Sequence, residues 1–585
     1  MAASEPSVSR VHEALTLHQS GDLDAASRLY DLLLGEEPGN VEALHLSGLL
    51  LHQQGKSAEA LGRIEAALRE EPENAGFLYN HGVILHENGR FGEAADTYRK
   101  CLLTDSGNVS AWVNLGNLLA DHGHFGEALD CHRNAARLQP GEGEHLLRVA
   151  RDLRLIGDID AALALLGELL CREPDNEAAW SAMLFASQYQ AGISRAELFR
   201  RHSRWAARFP AAEIEDVPRK SGEFLRVGFL SPDFGNHPVG IFLAPLLERL
   251  KDHPGVIMIC FNDRVRVDEY LLRLRAAAGE WHEVASLDDS ALDQKLRDCA
   301  LDVLIDLCGH GEGNRVRLLA RKPAPVQMSW AGYTGTTGLG AIDFLLSDTF
   351  HTPAHSEEDY AERLLCFPCG YLTWQAPAYA PQPAPLPMLA KGYPTFGCFN
   401  NPSKLSQPTL SLWGRLLAKV PGSRLVLKYK GMQDPAVVTR VRGLLSVHGV
   451  APDRIDFLGQ TNHQDHLEAF SMIDVALDTM PYSGGLSTCE AIWMGVPVVT
   501  LPGDTFASRH SFSHLRNAGV GDTVAKDEED YLRIATTLVA KPEALAKRRS
   551  MMRGTVAASP LLDLDAYTSD FLSALGAATA SAIGK

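Results

Sequence analysis

The stretch "YSGGLSTCEAIW", Tyr482 to Trp493, sets a glycine pair, two hydroxyls and a carboxylate between an apolar run and a helical pattern. Gly484 and Gly485 keep side chains clear of an approaching group. The first turn of the following helix carries backbone N–H groups without intrahelical acceptors, which attract anions such as a diphosphate. Ser487 and Thr488 add hydroxyls, and Glu490 is placed to accept from a ribose hydroxyl pair. The same letters read as a capping box, Ser487-x-x-Glu490, which starts the helix at Ser487 and engages the carboxylate. The readings are compatible if the box starts the helix and the remaining N–H groups serve the anion.

Other motifs follow short apolar runs in the same way. "SPDFGNHPVG" places Asp233, Asn236 and His237 in a loop, with Pro238 biasing His237 to extended dihedrals. His237 is a candidate base or acceptor contact; the alternative is a backbone-bonded loop histidine. "LIDLCGHGEGN" holds His310 among Gly309, Gly311 and Gly313, and "WAGYTGTTGLG" holds Tyr333 and Gly335; both loops are candidate sugar or acceptor contacts. "CFNNPSK" sets Asn400, Asn401 and Lys404 beyond a strand, and a lysine there supplies charge where a leaving group turns negative. A solvated surface lysine is the alternative. "GQTNHQDHL" carries His463 and His466 on one helical face, fit for a nucleoside contact, or for a metal pair that lacks an evident third ligand. No metal site is expected. Cys366 and Cys369 form a lone C-x-x-C, weak grounds for zinc.

These motifs need elements to hold them. "FLRVGFLS", "LDVLIDL", "PAPVQMSWAG" and "IDFLLSD" read as buried strands, and "TFGCFN", "SRLVLKY", "RIDFLG", "IDVALDT" and "PVVTLPG" repeat the grammar. Strands alternating with helical segments predict doubly wound parallel sheets. Two Rossmann-like lobes are expected, at 221–375 and 394–570, joined by a proline-rich connector at 376–393. A cleft belongs where the carboxyl ends of their strands meet.

The first third has a different rhythm. Gly21, Gly55, Gly89, Gly123 and Gly157 recur every 34 residues, and Gly48, Gly82 and Gly116 form a second small-residue column. The spacing predicts one helix pair per repeat: five at 7–176, with a degenerate sixth and linker helices at 177–220. Such pairs stack into an α superhelix with a concave, polypeptide-binding surface. Asn80 and Asn114, one period apart, could hold the backbone of an extended peptide, or are polar positions on a solvated face.

The chain has 585 residues, 45% hydrophobic and 22% charged, with a formal charge of −18. That acidity argues against a nucleic-acid partner. No apolar run is long enough for a membrane span, and the first residues lack a signal peptide's apolar core. The ten scattered cysteines suit the reducing cytoplasm.

A repeat array followed by "SPDFGNHP", "RKPAPVQMSWAGYTGTTG", "CFNNPSK" and "YSGGLSTCEAIWMGVPVVTLPG" resembles a bacterial member of the O-linked N-acetylglucosamine transferase family, which includes plant O-fucosyltransferases. The resemblance implies tetratricopeptide repeats before a GT-B fold. It implies metal-independent, inverting transfer from UDP-GlcNAc to Ser or Thr of peptides bound along the repeats, with no cofactor. His237 and Lys404 would be catalytic. Asn401, Lys404, His463, His466, Gly484, Gly485, Ser487, Thr488 and Glu490 would bind the donor. Leu486 and Asn401 depart from the animal enzymes, which leaves GDP-fucose as an alternative donor and a non-enzymatic nucleotide-sensing scaffold as an alternative function.

Overall fold

The structure is a computed structural model that describes residues 5–208 and 224–583. Residues 209–220 of the expected linker lie outside that range. The chain divides into two compact units, Met1–Asp152 and Leu153–Lys585.

The first unit is a stack of helix pairs: Glu5–Gln19 with Leu23–Glu36, Val41–Gln53 with Ser57–Glu70, Ala75–Glu87 with Phe91–Thr104, and Val109–Asp121 with Phe125–Leu138. Each turn needs its glycine, since Gly21, Gly55, Gly89 and Gly123 have φ between +72° and +87°. Asn40, Asn74 and Asn108 cap the first helix of their pairs. The small-residue column has a steric cause. A Cβ on Gly48, Gly82 or Gly116 would lie within about 2.6 Å of Ile64, Tyr98 or His132, themselves one period apart. His132 is fully buried and paired with an equally buried Asp152. The unit boundary falls at Asp152, inside the helix Gly143–Ile156, and thus within the fifth repeat.

The second unit opens with Ile159–Arg172, Glu177–Ser187 and Arg195–Ala206. Trp205 on the last of these is buried in a cluster with Leu230, Ile259 and Leu318. The first lobe has seven strands: β1 (Leu225–Ser231), β2 (Val256–Asn262), β3 (Glu280–Glu283), β4 (Val303–Asp306), β5 (Val326–Ser329), β6 (Phe344–Asp348) and β7 (Arg363–Phe367). The second has β8 (Thr395–Cys398), β9 (Arg424–Lys428), β10 (Ile455–Leu458), β11 (Val475–Leu477) and β12 (Val498–Val499). The sheet orders are β3-β2-β1-β4-β5-β6-β7 and β10-β9-β8-β11-β12, with every pairing parallel. Both are doubly wound parallel sheets that follow the helical repeats in the chain, as the sequence predicts.

The connector's carbonyls are used by the second lobe. Arg549, buried, donates to the carbonyls of Ala384, Phe470 and Ile473 at 2.7–3.0 Å. The last helix, Leu564–Ile583, returns to the first lobe. There Tyr567 Oη donates to the Tyr371 carbonyl (2.9 Å), and Phe571 stacks on Phe229 at 6.5 Å.

Candidate active site

One cleft of about 630 Å3 opens between the lobes of the second unit. The loop after β1 supplies Asn236 and His237 to it; Ala331, Thr334, Tyr371 and Leu372 also line it from the first lobe.

His237 is the N-cap of the helix Pro238–Leu250. Its Nδ1 accepts the Val239 N–H at 3.4 Å, while the Asp233 carboxylate stands 3.7 Å away. A neutral imidazole that accepts at Nδ1 carries its proton on Nε2. Burial lowers the His237 pKa, which Asp233 only partly offsets, so the neutral form is favoured. Asp233, a candidate sugar or acceptor contact on the sequence reading, is not among the residues that line the cleft.

Lys404 ends the short turn Pro402–Lys404 after β8, and Asn401 caps that turn by accepting from Ser403 N. The Lys404 ammonium donates to the Ser483 carbonyl at 2.8 Å and lies 4.2 Å from the centre of the Tyr482 ring. Burial pushes its pKa down to about 8, with Asp478 opposing.

The stretch around Ser487 departs from the capping box. The helix begins at Leu486, its N-cap is Gly485, and no side chain caps it. Ser487 Oγ instead donates to Asn400 Oδ1 at 2.6 Å. Glu490 faces away from the helix start because two histidines compete for it. His463 Nε2 lies 2.7 Å from Oε1 and His466 Nε2 lies 3.4 Å from Oε2. Burial raises the Glu490 pKa, but the hydrogen bonds from His463 and His466 outweigh it and hold the carboxyl low. The two histidines share a face of the helix His463–Glu468, as their spacing predicts.

The glycines divide the work. A Cβ on Gly484 would meet Thr488 Oγ1 at 2.6 Å, whereas one on Gly485 would meet nothing. Gly484 therefore serves packing and Gly485 serves access. Thr488 also turns inward, its Oγ1 bonding the Gly484 carbonyl and Ser511. Of the stretch Tyr482–Trp493, Tyr482, Gly485, Leu486, Ser487 and Glu490 line the cleft, whereas Gly484 and Thr488 do not.

Three expected contacts lie elsewhere. His310 is buried, 2.8 Å from the Thr337 carbonyl through Nε2 and 4.4 Å from the Trp205 ring, because the loop after β4 folds under the helix Arg195–Ala206. Tyr333 is buried beside it, its hydroxyl 2.7 Å from His202 Nε2. Gly335 borders a separate small space with Gln188 and Arg195, leaving Thr334 to face the cleft. In the first unit, Asn80 Nδ2 is 2.8 Å from His45 Nε2, and Asn114 donates to Tyr79 Oη at 3.2 Å. Both amides thus bond side chains of the preceding repeat.

Sequence reasoning missed several lining residues. Lys428 ends β9 and donates to Thr461 Oγ1 at 2.9 Å; Tyr429 and Lys430 follow it into the cleft. The "KYK" run at a strand end was the available signal. His510 lines the cleft too. Tyr379, from the connector, reaches His463 Nδ1 at 2.6 Å. All ten cysteines are free thiols, and Cys369 Sγ donates to Asp570 at 2.7 Å. Among the described residues no group of three His, Cys, Asp or Glu is arranged to hold a metal, and no helix is long and apolar enough to cross a membrane.

The comparisons with known proteins agree on one family. The model of glycosyl transferase family 41 matches residues 207–375 and 386–571, and a tetratricopeptide repeat model matches 13–62 and 45–109. An Oryza sativa subsp. japonica protein described as a probable UDP-N-acetylglucosamine–peptide N-acetylglucosaminyltransferase SPINDLY is 33% identical over 407 residues. That match covers 68% of this chain and 44% of the relative. The Arabidopsis thaliana protein similarly described, SEC, is 29% identical over 362 residues, covering 59% and 36%. The chain thus spans less than half the length of these relatives. A mutant of Thermobaculum terrenum O-GlcNAc transferase superposes with a TM-score of 0.77 at 32% identity, covering 86% of this chain and 98% of that one. With tetratricopeptide repeats followed in the chain by a parallel-sheet cleft, the chain belongs to glycosyl transferase family 41.

Proposed function

We propose that the chain is an inverting, metal-independent enzyme that moves N-acetylglucosamine from UDP-GlcNAc to Ser or Thr hydroxyls of proteins. One observation carries the reading: Lys404, the helix start at 485–487 and the His463–Glu490–His466 group, from separate segments, line one cleft with His237. Family membership and the relatives' names support the reaction class.

In this reading the acceptor oxygen attacks the anomeric carbon, and the carbon–oxygen bond to the diphosphate breaks with its electron pair. Lys404 and the Leu486 and Ser487 N–H groups meet the charge that develops on the leaving diphosphate. Glu490 and its histidines hold the nucleoside. Asn401, Lys428 and Lys430 extend the donor site. His237, with Nε2–H, donates to donor or acceptor and positions it. Asn80 and Asn114 release their present partners and hold the acceptor peptide's backbone. The free cysteines suit a cytoplasmic protein.

The test is to incubate the full chain with a peptide mixture and either UDP-GlcNAc or GDP-fucose, with and without EDTA. UDP release with modified Ser or Thr, unchanged by EDTA, is expected. Leu486, apolar at the helix start, favours including GDP-fucose; release of GDP alone would move the donor to fucose. Nucleotide binding without release from either donor would reduce the chain to a sensing scaffold.

A further inference from the structure

The geometry points to His510 as the group that takes the proton from the acceptor hydroxyl, with His351 and Asp348 holding it in the receiving tautomer. The inference rests on the transfer reading above and deepens it.

A chain of hydrogen bonds crosses between the lobes behind the cleft. Asp348, at the end of β6, accepts the N–H groups of Phe350 and His351 at 2.8 Å through Oδ1. Its Oδ2 accepts from Ser513 Oγ at 2.6 Å and from Tyr371 N at 3.1 Å, and lies 3.1 Å from His351 Nδ1. Burial disfavours the charged carboxylate, but His351 and these donors outweigh it and hold Asp348 ionised. An ionised carboxylate only accepts, so His351 Nδ1 donates to it. With Nδ1–H given to Asp348, the tautomer we assign to His351 leaves Nε2 to accept, and the partner 2.9 Å away is His510 Nδ1. That nitrogen must carry a proton, and the Tyr371 hydroxyl oxygen, 3.0 Å from it, becomes a second acceptor. His510 therefore keeps a bare Nε2, and it lines the cleft. This is the reverse of His237, whose proton sits on Nε2.

The groups facing His510 are His351 and Tyr371 from the first lobe, and His514, Tyr482 and Lys404 from the second. Burial is the chief cause that pushes its pKa well below the usual imidazole range, and the Lys404 cation adds to it, so it is unprotonated in the empty cleft. A diphosphate beside Lys404 offsets that cation and raises the proton affinity of His510 once the donor is bound.

The step balances. The acceptor O–H bond breaks and its electron pair forms the bond to the anomeric carbon, while the bond to the diphosphate breaks and its pair leaves on the nucleotide. The proton goes to His510 Nε2. The resulting imidazolium donates to His351, which is held by the Asp348 carboxylate, and later loses the proton to water.

Two measurements on the full chain test this. In 15N-histidine-labelled protein with UDP bound, His510 should show a protonated Nδ1 and a bare Nε2; a protonated Nε2 with a bare Nδ1 would overturn the assignment. This readout needs no turnover, so it separates failure here from failure of the transfer reading. In kinetics, His510→Asn keeps an N–H near His351 but loses Nε2; kcat should fall about 10²–10⁴-fold, with UDP affinity within about threefold of the parent. An unchanged kcat, or a raised donor KM alone, as for a sugar-hydroxyl contact, would refute the role. Asp348→Asn should cost about tenfold or more in kcat by releasing the tautomer. The double variant should be no slower than His510→Asn, because the residues act as one unit; additive losses would make Asp348 merely structural.

Discussion

Lys404 sits on an aromatic face and a carbonyl with its proton affinity already reduced, and this sets a pH limit on catalysis. With a pKa of about 8 it is charged below that pH and a bare amine above it. Since kcat/KM reports the free enzyme, it should fall about tenfold per pH unit above pH 8. Lys404→Arg, charged throughout, should move that limb upward, and Lys404→Met should cost on the order of 10²–10³ below pH 8, with the gap to the parent closing above it. A profile flat to pH 10 in the parent would remove Lys404 from the charge-stabilising role. At this scale the sequence disclosed the residues at strand ends and helix starts. Lys404, His463, His466 and Glu490 stand where the doubly wound pattern directs them to the cleft. Lys428 looked like the last residue of a buried strand, and His510 and Tyr379 arrive from a helix and a connector far along the chain. Their positions follow from packing between segments, which no local pattern encodes. His310 failed the opposite way: its glycine-rich loop looked like a ligand loop but folds beneath Trp205.

Among the elements, helix starts were legible as starts but not in their detail. Ser487 and Glu490 have the spacing of a capping box, yet Asn400 and the histidine pair offer stronger partners, so tertiary contacts override the local motif. The repeats were readable to the residue, because turn glycines and Gly48, Gly82 and Gly116 answer steric demands that recur with the period. What the period did not announce is the break in its own apolar column. His132 occupies the place of Ile64 and Tyr98 and must be matched by Asp152. Leaving a buried polar side chain without its hydrogen-bond partner typically costs about 1–3 kcal/mol, whereas replacing both partners by apolar residues is often neutral or stabilising. Asp152→Ala should therefore accelerate hydrogen exchange across Phe125–Leu138 and Gly143–Ile156, and His132→Leu with Asp152→Leu should restore protection. Equal exchange in the single variant and the parent would show that the pair contributes nothing.

The second unit as a whole is tied together by contacts distant in sequence. Arg195 donates from its backbone and side chain to Asp504 of the second lobe at 3.1–3.2 Å, and its Nε reaches Asp359 of the first at 2.7 Å. The last helix buries Tyr567, Phe571, Leu575 and Ala578 in the same core as Val227, Phe229 and Trp330. Losing a single buried phenylalanine costs about 3–5 kcal/mol, against a typical net stability of about 5–15 kcal/mol for a whole domain. A chain stopped after Leu562 should therefore have a protease-sensitive first lobe, with cleavage concentrated between 224 and 367. Resistance equal to the full chain would show that the helix is dispensable. The two-lobe plan was visible from the alternation of strands and helices, but this return was not, because an amphipathic helix does not name the sheet it will cover. Its consequence reaches into biosynthesis. Residues 224–367 leave the ribosome long before 564–583, so the first lobe waits with an uncovered apolar face until the last segment emerges. The half of the cleft that carries His237 is thus completed only once 564–583 has docked, and a chain that lacks this segment should fail to complete it.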